Sequence, residues 1–174
     1  MTTFCVYIAA SLDGFIARAD GGLDWLSLVE APGEDYGFQA FLDGVDTLVL
    51  GRATYDAVLG FGQWPYGGKR CVVMTHGELA SRHGEEAFSG PASELAGRLS
   101  AEGARRVYVD GGAVIGQFLD AGLVSELTLS VVPILLGGGV RLFGPRDRDV
   151  RLELVRSAGF PSGLVQSEYR VRSA

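Results

Sequence analysis

The stretch of this chain best suited to chemistry is VYVDGGAVIGQFL, residues 107–119. An apolar strand runs into Asp110-Gly111-Gly112 and then directly into a helix, with Val114, Ile115, Phe118 and Leu119 spaced to share one buried face. Two glycines in a row keep the turn bare, and the first amides of a helix attract anions. VDTLVLG has the same layout: it ends in Gly51, and Arg52-Ala53-Thr54 opens the next helix. A guanidinium and a hydroxyl at that point add charge-assisted bonds to a phosphate. Each stretch also has a plain reading. Arg52 and Thr54 can be solvated residues of a surface helix, and Asp110 can simply cap the helix after a tight turn. Two such helix starts in one sheet suggest a single extended ligand with several phosphates. No G-x-G-x-x-G dinucleotide fingerprint occurs in the chain.

Candidate acids are Asp13, Asp24, Glu30 and Asp110. Asp13 lies in SLDG, where Asp-Gly is ordinary turn chemistry. His76 and His83 fall in a polar loop, as surface residues do. There is no GxSxG elbow, HExxH or GxxxxGK[ST] loop, which disfavours hydrolase, metalloprotease and nucleotide-triphosphatase chemistry. Cys5 and Cys71 each sit inside an apolar run and read as buried free thiols, and no Cys/His spacing suggests zinc.

The elements that must position these residues alternate. Residues 3–10, 45–51, 71–75 and 106–110 are short apolar runs, as in strands buried on both faces, and helical patterns follow the second and the fourth. Another helix is predicted from Pro91 to Gly103, and a looser one near 36–44. A stretch from Ser11 to about Gly33 is too long for a simple connector and reads as a functional loop. After residue 122 the rhythm changes to strands without helices: ELTLSVVPIL, VRLELVRS and LVQSEYRVR. In the last, Val165, Tyr169 and Val171 alternate with Gln166, Glu168, Arg170 and Arg172, which predicts an antiparallel strand with one wet face. The fold class is therefore α/β, a parallel core finished by antiparallel strands, in one domain spanning 1–174. Ligands of such sheets gather at the carboxyl ends of the parallel strands, where Gly51-Arg52, Thr75-His76 and Asp110-Gly111 all fall.

The 174 residues carry a net charge of −6, which argues against non-specific nucleic-acid binding. No signal sequence and no apolar run near the ~18 residues of a membrane span is present, so a cytoplasmic protein is expected. The 26 glycines cluster at 20–22, 66–68, 110–112 and 137–139, as tight connections near a ligand do.

SLDG, GRATY, VVMT, DGG and PILLGGGVRLF in that order resemble the dihydrofolate-reductase-like superfamily. The likeness is nearest to the C-terminal reductase domain of the bifunctional riboflavin-biosynthesis deaminase/reductase and its small stand-alone relatives. It runs from residue 3 to about residue 172. The resemblance implies a three-layer fold on a mixed eight-stranded sheet, with NADPH as cofactor. It also implies reduction of a pterin or ribosylaminopyrimidine by an enzyme that is commonly a homodimer. Gly51, Arg52 and Thr54 match the cofactor-phosphate contacts, Arg52 giving preference for the 2′-phosphate, and Thr75 matches a residue beside that phosphate. Gly111 and Gly112 match paired glycines that often take a cis peptide. Ala113, Val114 and Ile115 would flank the pyrophosphate, and Ala10 and Ile16 would line the nicotinamide. Asp13 and Asp110 are the candidate proton donors. The chain carries no deaminase domain, and Glu30 is the nearest match to the carboxylate that dihydrofolate reductases place on their first helix. Dihydrofolate reduction, or NADP binding without catalysis, are the alternative functions. In the blandest reading the glycines are only turns and the domain is structural.

Overall fold

The computed structural model describes residues 1–172. Its centre is β1 (Thr3–Ser11), whose side chains are nearly all withdrawn from water. An apolar strand of this kind needs cover on both faces, and the fold supplies it with helices on each side of one sheet. β3 (Thr47–Gly51), β4 (Arg70–Met74) and β6 (Arg106–Asp110) are equally enclosed. β5 (Glu86–Phe88) and β7 (Val124–Val132) extend the sheet to either side, and β10 (Val165–Val171) and β9 (Leu152–Gly159) complete it. The eight strands lie in the order β5-β4-β3-β6-β1-β7-β10-β9.

One face is covered by α1 (Phe38–Asp43) and α2 (Arg52–Leu59). There Leu42, Tyr55 and Val58 pack on Leu48, Leu50 and Tyr108. The other face is covered by α3 (Ala92–Ala101) and α4 (Gly112–Asp120), whose Leu95, Leu99, Ile115 and Phe118 pack on Phe4, Val6, Val49 and Val109. This is the three-layer α/β arrangement expected, and Cys5 and Cys71 are buried free thiols.

Three features depart from the sequence reading. First, the change of rhythm after residue 122 groups β7 with the antiparallel strands, yet it runs parallel to β1, because α4 is a crossover returning the chain to the same end of the sheet. Among the described residues, β10 alone runs against the other seven strands of this sheet. Second, β5 was not predicted. It is a three-residue edge strand held by side chains, since Glu86 accepts from Arg70 at 2.7 Å and from Arg98 at 2.8 Å. Third, the stretch from Ser11 to Gly33 is partly ordered. It contains β2 (Phe15–Ala17), paired with β8 (Val140–Arg141), and a 3-10 helix at Asp24–Val29.

The wet face predicted for β10 is only partly so. Gln166 is half-buried, and its amide donates to Tyr7 Oη at 2.8 Å and to Ser130 Oγ at 3.0 Å. Val165, expected on the covered face, is 44% exposed.

Candidate functional site

β3 and β6 are neighbours, and Leu50 pairs with Asp110 at their carboxyl ends. The chain leaves β3 into α2 on one face and leaves β6 into α4 on the other. A crevice must open where two such connections part, and in open α/β sheets that is where ligands bind. Neither helix start is capped by a side chain, and residues of both first turns line the crevice. The cleft has a volume of about 450 Å³. Of the residues predicted from sequence, Ile16, Gly51, Arg52, Thr54, Asp110, Gly111, Gly112, Ala113 and Val114 line it. These groups suit a phosphate-bearing ligand with apolar rings, because bare helix starts and a guanidinium meet an otherwise apolar wall. A dinucleotide such as NADPH fits that donor set.

The two glycines are required by the protein's own atoms. Gly111 has φ 103°, a conformation that L side chains rarely adopt, and a Cβ there would meet Thr54 Oγ1 at 2.6 Å. A Cβ on Gly112 would meet the Arg141 carbonyl at 2.7 Å. The pair thus lets α4 start close beside α2 on one side and beside the strand β8 on the other. The cis peptide that the resemblance suggested is not found, since every peptide bond among the described residues is trans. The positive φ of Gly111 makes the turn instead.

Arg52 lies at the cleft with its guanidinium engaged. Nε meets both carboxylate oxygens of Asp56 at 2.9 Å, one helical turn on, and Nη1 donates to the Glu78 carbonyl at 2.8 Å. Nη2 makes no such contact. Thr75 stands outside the cleft lining, and its hydroxyl accepts the Gly77 amide at 3.1 Å.

Asp110 is the one acid in the cleft wall. Its Oδ1 accepts the Gly111 N–H at 2.8 Å, and Oδ2 lies 3.0 Å from the Tyr108 hydroxyl. Desolvation is the largest influence on it and pushes its pKa up to about 6; the Gly111 N–H donated to Oδ1 acts the other way but is outweighed. Tyr108 and Tyr66 beside it are themselves raised, chiefly by burial.

Asp13 is placed differently. Its carboxylate accepts Leu136 N–H at 3.1 Å, Gly137 N–H at 2.7 Å and Ser11 Oγ–H at 2.6 Å. The Ser11 bond leads these in holding its pKa at about 2. It does not line the cleft, and an acceptor so fully engaged has no proton to give. Its work is to clasp the first turn to the Gly137–Gly139 loop. Asp13→Asn should therefore leave the sheet intact and raise amide hydrogen exchange at Leu136 and Gly137. Because the folded pKa is depressed, the clasp holds above about pH 4 and is lost as the pH falls through about 2. Unchanged exchange at those two amides in the variant would refute the clasp.

Two other candidates stand outside the cleft lining. Ala10 is 2% exposed and belongs to the core beneath α4, whereas its neighbour Ala9 faces the cleft. Ile115 is likewise wholly in the core. Glu30 is exposed outside the cleft, and Asp24 is paired with Arg18 at 2.7 Å. His76 contacts Ser89, and His83 stacks on Trp64 with centroids 4.7 Å apart, both outside the cleft.

Sequence reading missed the aromatic wall, made by Phe38, Phe61, Tyr66 and Tyr108. Tyr108 carried a signal, two residues before Asp110 on one strand face. Phe61 and Tyr66 come from an irregular segment with no periodicity to read.

A larger concavity of about 630 Å³ lies across β7 and β10 beside α1. Arg106–Glu126 and Arg156–Glu168 pair its charges with one another, and no helix of eight residues or more begins there.

The arrangement is a known one. A protein from Shewanella sp. PV-4, named for riboflavin biosynthesis, superimposes with a TM-score of 0.92 at 37% identity, covering 98% of this chain and 99% of that one. Dihydrofolate reductase from Enterococcus faecalis shares the fold, with a TM-score of 0.66 at 18% identity over 98% of this chain and 97% of its own. Riboflavin biosynthesis protein RibD of Corynebacterium ammoniagenes is 32% identical over 149 residues, 76% of this chain but 43% of that longer protein. Residues 91–166, which hold α3, β6, the Asp110 turn and α4, match the family model of the RibD C-terminal domain. With the fold, the crevice and these likenesses in agreement, the chain belongs to the RibD C-terminal domain family.

Proposed function

We propose that this chain is an NADPH-dependent reductase of a small molecule of ribosylaminopyrimidine or pterin type, with 5-amino-6-(5-phosphoribosylamino)uracil reduction as the nearest analogy. The observation that carries the reading is the pair of uncapped helix starts at the β3/β6 crevice with a single desolvated acid between them. Bound there, NADPH supplies a hydride. The protein's part is to seat phosphates on the amides of Arg52–Thr54 and Gly112–Val114, and to place rings against Ala9 and Ile16. Asp110 then presents a proton at the wall that the substrate shares. Asp110 takes the donor role in preference to Asp13, whose oxygens are occupied.

Arg52 reads the 2′-phosphate, but its latch to Asp56 competes for the same charge. Arg52→Ala should weaken NADPH about tenfold or more and NADH little, on the scale of one charge-assisted pair. Asp56→Asn, which frees the guanidinium, should tighten NADPH selectively. Calorimetric titration of wild type and both variants decides it, and a well-folded protein that binds neither cofactor would sink the reductase reading.

A homodimer located in the cytoplasm is part of the same proposal. Leu152, Leu154, Val155 and Val165 are exposed on the outer strands β9 and β10, as apolar side chains awaiting a second copy are. Among the described residues no helix is long and apolar enough to cross a membrane.

A further inference from the structure

We propose that Tyr108 is a positioning residue that keeps the transferable proton of the cleft on Oδ2 of Asp110; the inference deepens the reductase reading and rests on it.

The geometry poses a question of hydrogen supply. The Tyr108 hydroxyl oxygen lies 2.9 Å from the Tyr7 carbonyl oxygen and 3.0 Å from Asp110 Oδ2. It owns one hydrogen and has two acceptors to serve. The Tyr7 carbonyl has no hydrogen of its own, so the 2.9 Å contact is bridged by the phenol's, whereas a carboxylic acid can bring one to the other contact. β6 pairs with β1 only over Thr3–Cys5, so Tyr7 lies past the last ladder pair on that side, and the phenol is the donor that reaches its oxygen. Tyr7 is half-buried, and a carbonyl withdrawn from water without a donor is costly. With its hydrogen given to Tyr7, Tyr108 turns a lone pair toward Oδ2. Two oxygens at 3.0 Å then need a hydrogen between them, and only Asp110 can supply it. Oδ1 is already the acceptor of the Gly111 N–H, so the proton belongs on Oδ2.

The groups facing Asp110 agree with an acid that keeps its proton below about pH 6. They are Tyr108 from its own strand, Tyr66 from the segment before β4, and farther down the same core layer Tyr7 and the thiols of Cys5 and Cys71. All are uncharged near neutral pH, the thiols being pushed up to about 12 by burial. Arg52, the cation of the cleft, is held by Asp56 and Glu78. No Lys or Arg forms an ion pair with Asp110 among the described residues.

The step this pair serves balances simply. Bound NADPH would supply the hydride and its electron pair to the carbon of a substrate C=N or opened-sugar C=O, being oxidised in turn. The heteroatom takes the proton from Oδ2, Asp110 is left as carboxylate, and water entering the cleft restores it.

The sign of one shift tests the arrangement. The side-chain carboxyl of Asp110, identified by its loss in Asp110→Asn, is titrated by carbon NMR in apo protein. In wild type it should titrate near 6. In Tyr108→Phe it should titrate about one unit lower, because the neutral acid loses its acceptor. The alkaline limb of kcat/KM should move down with it. An Asp110 that titrates unchanged or higher in Tyr108→Phe overturns the proposal, since Tyr108 would then be a donor to the carboxylate. Should that variant fail to fold, infrared difference spectra of wild type against Asp110→Asn at pH 5 decide. A protonated-carboxyl band lost in the variant supports the pair, and its absence in wild type overturns it. If the titration moves as stated but no pyrimidine or pterin oxidises NADPH, the reductase reading fails and the pair stands. If reduction proceeds and the titration does not move, the reverse holds.

Discussion

Asp110→Asn should lower NADPH-dependent turnover by roughly 10²–10⁴-fold, the contribution typical of a positioned general acid, while leaving cofactor affinity within about twofold of wild type. The asparagine amide donates toward Tyr108 and its oxygen accepts from Gly111, so the turn geometry survives. What it lacks is a transferable proton. The same variant should be more stable than wild type at neutral pH. The folded pKa of Asp110, about 6, stands above the ordinary 3.8, so folding favours the protonated form. The stability tied to that group is fully present below about pH 4 and is lost as the pH rises through about 6. At pH 7 the ionised carboxylate burdens the fold by about 3 kcal/mol, which asparagine does not carry. Denaturant unfolding at pH 7 and at pH 4 should therefore show a gain that disappears at the lower pH. A variant that is inactive and destabilised at both pH values would mean that Asp110 is a turn cap and nothing more. Loss of activity with gain of stability is the pattern of a group kept for chemistry.

The second large effect concerns the glycine pair. If the turn were bare only to admit a cofactor, Gly112→Ala would leave the apo protein unharmed and damage only binding. The structure leads to the opposite result. The new Cβ would stand 2.7 Å from the Arg141 carbonyl, a backbone atom of β8 that has little room to move. Gly111→Ala adds a side chain at φ 103° and 2.6 Å from Thr54 Oγ1. Overpacking of about 1–3 kcal/mol should destabilise the apo protein in either variant, and left-handed strain of about 1–2 kcal/mol adds to it in Gly111→Ala alone. NADPH affinity should fall as well, because α4 must shift away from α2. Denaturant midpoints measured without cofactor test this directly, and a midpoint equal to wild type in both variants would show that the neighbouring carbonyl and hydroxyl yield freely.

The ladder of strands and helices was legible from one end of the chain to the other where it is periodic. Four buried strands and the helices α3 and α4 follow from apolar runs punctuated by Pro91, Gly103 and Gly122. What escaped was short or held by distant partners. β5 is three residues fastened by Arg70 and Arg98, and β2 exists only because residues 140–141 come back to pair with it. The direction of β7 also escaped, because an apolar strand looks the same whether its neighbour runs with it or against it.

The candidate site divides in the same way. Gly51-Arg52, Thr54, Asp110 and the glycine pair were readable, since strand ends, helix starts and turn residues are local signals. The face of β1 was not. Ala9 is half-buried and Ala10 fully buried in a strand covered on two sides, and with no polar alternation the sequence does not tell which of the two alanines faces the cleft. The sequence by itself determined which elements form and that two anion-seeking helix starts share a sheet edge, because propensity, periodicity and turn chemistry act over a few residues. Only the tertiary structure decided the duties of the two acids. The Leu136 and Gly137 amides, 123 and 124 residues along the chain, claim the oxygens of Asp13, while the phenol of Tyr108 and the desolvated crevice leave Asp110 ready to hold a proton.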